Sequence, residues 1–84
     1  MVKLRRRPVT ASTSPPYGLT GIVTGEVRSG TIGEAMIKIR GGIEYFYAYP
    51  AEEDVVISPG STILVVEYRP PRTIIVVPWT DILS

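Results

Sequence analysis

The sequence predicts an all-β domain, a small closed barrel of five short strands behind a disordered N-terminal tail. Two runs rich in β-branched residues, 61–68 and 73–79, carry the strongest signal. Val and Ile branch at Cβ, which crowds a helical turn but packs well on a pleated surface, so Ile63, Val65, Val66 and Ile74 to Val77 favour strands. Eight glycines and eight prolines punctuate the 84 residues, and no sustained helical stripe runs between them. Neither apolar run is long enough to span a membrane.

Residues 1–17 hold a basic cluster and then a Ser/Thr/Pro tract, with too few apolar residues to pack, and are expected to form a linker or juxtamembrane tail. No apolar stretch follows the basic residues, so a signal peptide is not expected here. The barrel is expected over 18–80, with 81–84 as a short C-terminal tail. The first strand, 18–27, carries Gly18, Gly21 and Gly25. Glycine inside a strand marks a bulge or bend, and a bent first strand can pair in both halves of a closed barrel. The same glycines do not make a phosphate loop: the spacing is wrong, no helix follows, and no Gly-Lys-Ser/Thr is present.

Residues 28–31 are a turn with Gly30 supplying positive φ. The second strand, 33–40, alternates cleanly. Ala35, Ile37 and Ile39 face the core, while Glu34, Met36, Lys38 and Arg40 face out. Gly41-Gly42 signals a tight primed turn, which returns the third strand, 43–50, antiparallel. In that strand either Phe46 and Ala48 or Tyr45, Tyr47 and Tyr49 point inward. Three buried tyrosine hydroxyls would be hard to satisfy in so small a core, so Phe46 and Ala48 are expected inside. Residues 51–60 form a connection whose acidic start can cap at most one helical turn before Pro59-Gly60 ends it. The last two strands are joined through 69–72, where Pro70 and Pro71 rule out a primed turn and predict a wider loop with its tip in water. Five strands with these connections match a Greek-key barrel of the OB type.

Composition bounds the chemistry. Cysteine and histidine are both absent, which removes disulfides, Ser/His and Cys/His nucleophile systems, the common zinc ligand sets and the usual neutral-pH proton shuttle. A domain of this length buries only about 60% of its unfolded surface, so its stability margin is slim. Net charge is +1, but Lys3, Arg5, Arg6 and Arg7 supply four of the nine cations. Beyond them five cations face eight anions, a balance that disfavours nucleic acid. Glu52, Glu53 and Asp54 are three adjacent acids, a pattern typical of a solvated loop, whereas calcium loops space their ligands. Tyr45, Tyr47, Lys38 and Arg40 would be the platform if the barrel read single-stranded nucleic acid, the alternative function.

Gly18-Leu-Thr-Gly21, Gly30, the pair Gly41-Gly42, Ala48, the run from Ile57 to Tyr68 and Ile74-Ile-Val-Val-Pro78 together resemble the C-terminal soluble domain of NfeD-like membrane proteins. The resemblance covers about residues 18–79. It implies a non-enzymatic domain without cofactor or metal. It also implies a cytoplasmic-facing position after transmembrane helices, association with stomatin- or flotillin-type scaffolds, and a part in regulating membrane protease activity. The chain itself contains no transmembrane segment, so a trimmed domain or a free-standing relative is expected, with the membrane reached through a segment absent from this chain. Some longer members carry a serine protease domain, none of whose residues is present. Lys3, Arg5, Arg6 and Arg7 then form a candidate membrane-proximal basic cluster. Tyr45, Tyr47 and Tyr49, with Arg69 and Arg72, form a candidate face for a protein partner, either such a scaffold or a second copy, through an exposed strand face or edge.

Overall fold

The computed structural model describes residues 16–79, and in them the glycine- and proline-bounded runs become five strands. These are β1 (Thr20–Gly25), β2 (Gly33–Ile39), β3 (Gly42–Pro50), β4 (Thr62–Arg69) and β5 (Thr73–Pro78). They close in the order β1-β2-β3-β5-β4, with β4 returning to pair β1. All neighbours are antiparallel except β3 and β5, which run parallel from Tyr47↔Thr73 to Pro50↔Val76. This is the five-stranded Greek-key barrel expected from the strand count and connections. The tail and the basic cluster predicted over 1–17 lie outside the described residues apart from Pro16, which is buried, and Tyr17, which is exposed.

In β2 and β3 the core takes the residues that alternation and the cost of burying tyrosine hydroxyls assign to it. Ala35, Ile37, Ala48 and Val76 are fully buried, Phe46 and Val65 nearly so, and Ile39 packs partly buried against them. Val23, Val27, Ile57, Ile63 and Ile74 complete the cluster. Tyr45 and Tyr47 are exposed on the opposite face of β3, so the choice of register in that strand holds.

Glycine does specific work at two positions. A Cβ on Gly21 would collide with the Met36 carbonyl oxygen and lie 2.5 Å from Ile37 Cδ1. On Gly33 it would lie 2.7 Å from the Glu26 carbonyl oxygen and 2.9 Å from that of Ala48. The barrel wall closes this tightly only because no side chain stands at either place.

Two details differ from the sequence reading. The first strand was expected to run to Val27, but β1 shifts register between Val23 and Gly25 and ends there. Val27 instead exchanges backbone hydrogen bonds with Ile57, 3.0 and 2.8 Å, which ties the 51–60 connection to the barrel. In the β2–β3 hairpin Ile39 pairs with Gly42, so the turn is Arg40-Gly41; Gly41 has φ of 83° and Gly42 is already strand. The acidic start of the connection forms turns and no helix. The β4–β5 loop is wide as expected, three residues between the paired Arg69 and Thr73, with 69–72 exposed.

Candidate interaction face

The outward residues of β1, β2 and β3 make one continuous surface. Register sets its rows: Ile22 pairs Met36, which pairs Tyr45. On one side of this row lies Glu34↔Tyr47, and on the other Lys38↔Ile43. Ile43, Tyr45 and Tyr47 are 54%, 49% and 54% exposed, while Ile22 and Met36 are half-buried, so an apolar strip crosses three strands. A shallow groove lined by Thr20, Ile22, Met36, Lys38, Ile43 and Thr62 runs along the same strip. Isolated exposed apolar residues are ordinary on a protein surface; a contiguous strip rimmed by charge is the kind of surface that meets a partner. Thr24 Oγ1 donates to Glu34 Oε1 at 2.7 Å, which orients that rim carboxylate.

Tyr49 follows Tyr47 on the outer face of β3 but is half-buried and lies beyond the β2 pairing, beside Ile75 of β5. The two predicted arginines lie off the strip. Arg69 Nε donates to Glu67 Oε2 at 2.8 Å, and that hydrogen bond and charge hold the guanidinium above its already high pKa. Arg72 belongs to the end of the barrel. Its guanidinium sits 5.0 Å from the centre of the Phe46 ring, its Nη2 donates to the Tyr45 carbonyl, and its Nη1 lies 3.6 Å from Glu44 Oε1. β5 begins opposite Tyr47, so the Arg72 side chain satisfies a β3 carbonyl beyond the start of β5. Among the described residues each strand pairs with two neighbours, and β3 before Tyr47 has no partner on its β5 side.

Sequence reasoning put Met36 on the outer face but included neither it nor Ile22 in the candidate interaction face. The outward position of Met36 was legible from alternation, but its place in a row with Ile22 and Tyr45 depends on pairing registers that no single strand carries. Tyr68 was also passed over; its ring meets Phe46 edge-on at 6.3 Å and its hydroxyl donates to the Pro71 carbonyl at 3.0 Å.

Among the described residues no three carboxylates gather to hold a metal ion, and Glu52, Glu53 and Asp54 lie exposed on the connection. Among them, too, no helix is long and apolar enough to cross a membrane. Five cations stand against seven anions over 16–79, a net charge of −2.

Comparison with known proteins agrees with this picture. The soluble domain of the NfeD protein YuaF from Bacillus subtilis is 28% identical, with a TM-score of 0.69 over 84% of this chain and 83% of that one. The soluble domain of a Corynebacterium glutamicum membrane protein implicated in regulation of membrane protease activity shares the fold at 18% identity. Its TM-score is 0.55 over 73% of this chain and 87% of that one. No curated protein matches the chain. The NfeD C-terminal domain family matches residues 20–77, and the chain belongs to that family.

Proposed function

We propose that the domain is a non-catalytic protein-interaction module that works beside a membrane on its cytoplasmic side. It meets a stomatin- or flotillin-type scaffold and through it takes part in regulating membrane protease activity. The observation that carries this reading is the Ile22–Met36–Tyr45 strip with Tyr47 and Ile43 beside it, apolar at its centre and rimmed by one carboxylate and one ammonium. Protein interfaces combine an apolar, aromatic centre with a polar rim of mixed sign, whereas nucleic acid selects a surface of excess positive charge. Family membership, and the membrane protein of Corynebacterium glutamicum that shares this fold, support the membrane setting. Lys3, Arg5, Arg6 and Arg7 then serve as a contact to anionic headgroups.

The competing reading, a single-stranded nucleic-acid binder, is separated by salt dependence. Any affinity of the full chain for a labelled single-stranded oligonucleotide should disappear when Lys3, Arg5, Arg6 and Arg7 become Gln, and should not respond to Tyr45→Ala with Tyr47→Ala. Binding that survives the tail changes, falls steeply with salt and is lost with the tyrosines would overturn the proposal.

A further inference from the structure

The face is arranged so that a second copy of the chain fits it in one orientation. Along β2 the outward residues read Glu34, Met36, Lys38: negative, apolar, positive. Along β3 the outward residues across from them are Tyr47, Tyr45 and Ile43, large and apolar throughout. The pattern is therefore antisymmetric in charge about the Met36–Tyr45 row, with a bulky β3 residue on each side of it.

Two sheets packing face to face through a two-fold axis must have that axis in the plane between them. If the axis runs along the strands, Glu34 meets the partner's Glu34 and Lys38 meets the partner's Lys38. If it runs across the strands, along the Met36–Tyr45 row, each Glu34 meets a partner Lys38 and each Tyr47 meets a partner Ile43. Like charges brought together oppose the first arrangement, and two opposite-charge pairs flanking an apolar centre favour the second.

We propose that this domain pairs with a second copy of itself through the outer face of β1, β2 and β3, the two β2 strands antiparallel. The proposal rests on the reading of the domain as an interaction module; the second copy and the scaffold use the same face and therefore exclude one another there. Three strands about 4.8 Å apart and three outward rows about 6.8 Å apart give a patch of roughly 300 Å². A standard interface covers about 800 Å² per partner, so the pairing is weak, in the high micromolar to millimolar range, and suits chains already held together on one surface.

The test uses the full chain and two single reversals, Glu34→Lys and Lys38→Glu, each confirmed folded by its amide NMR spectrum. Sedimentation equilibrium and translational diffusion up to about 1 mM should show association of the unaltered chain. Each single variant alone should associate roughly tenfold more weakly, because both charge pairs become repulsive. A mixture of the two should associate again, since every pair in the mixed dimer is then Glu against Lys, and the double reversal should recover self-association. Met36→Glu, at the centre of the patch, should abolish association in every background. An unaltered chain that stays monomeric at the highest concentration overturns the proposal. So does association that the single reversals leave unchanged, or that mixing fails to restore. The wider reading is judged separately, by whether a membrane scaffold co-purifies, so either can fail while the other stands.

Discussion

Arg72 lies over Phe46, its guanidinium 5.0 Å from the ring centre, and from there its Nη2 reaches the Tyr45 carbonyl. One side chain from the β4–β5 loop thus covers the largest core residue and gives the Tyr45 carbonyl of β3 a donor. Its ion pair with Glu44 is the weaker part, because both side chains are about half exposed. Arg72→Ala should lower unfolding free energy by about 1 to 2 kcal/mol, from the lost cation–π contact and the unsatisfied carbonyl. Glu44→Ala should cost less than about 0.5 kcal/mol. Urea unfolding of both variants decides the ranking, and equal costs would place the stabilisation in the ion pair.

Phe46 is 4% exposed and meets Tyr68 edge-on. Phe46→Ala should cost about 3 to 5 kcal/mol, comparable to the whole stability of so small a domain. Loss of dispersed amide signals at room temperature is the expected outcome.

Glycines that look equivalent in the sequence should behave differently. Gly33→Ala puts a methyl against the Glu26 and Ala48 carbonyl oxygens and the Val27 Cα, all within 2.9 Å, and should destabilise by about 1 to 3 kcal/mol or more. Gly42→Ala meets nothing within 4 Å and sits in strand without positive φ, so it should be nearly neutral. Thermal midpoints of the two variants check this contrast.

The contrast also marks what the sequence makes legible. Alternation along a strand is a local property, and it placed Ile37, Phe46 and Ala48 inside and Tyr45 and Tyr47 outside. Strand count and connection lengths were enough to suggest a five-stranded Greek-key barrel. Contacts between distant segments are another matter: nothing local to Gly33 reports that the Glu26 and Ala48 backbones close on it. Nothing near Arg72 reports that it turns to Phe46 and leaves the tyrosine face. The row from Ile22 through Met36 to Tyr45 has the same origin, since it exists only once two registers are fixed. The hairpin turn slipped by one residue for a smaller reason: with two adjacent glycines either can take the positive φ, and the pairing of Ile39 with Gly42 selects Gly41.

Removal of residues 1–15 should leave the thermal midpoint nearly unchanged, because that composition offers little apolar surface to bury. The deletion stops before Pro16, which is buried and whose carbonyl accepts the Leu19 N–H at 3.2 Å. A large drop in midpoint would mean that the tail packs on the barrel.

The claim that the outer face of β1 to β3 receives a protein is tested most directly in the native membrane. The natural protein carrying this domain would be tagged and isolated by gentle solubilisation, and its partners identified, with and without Tyr45→Ala and Tyr47→Ala. Both tyrosines are about half exposed, so the double variant should keep its fold, which its melting curve confirms. The account predicts that a stomatin- or flotillin-like scaffold co-purifies with the unaltered protein and is depleted about tenfold or more with the double variant, as expected for loss of central aromatic anchors. Undiminished recovery of the scaffold by a folded double variant would contradict it.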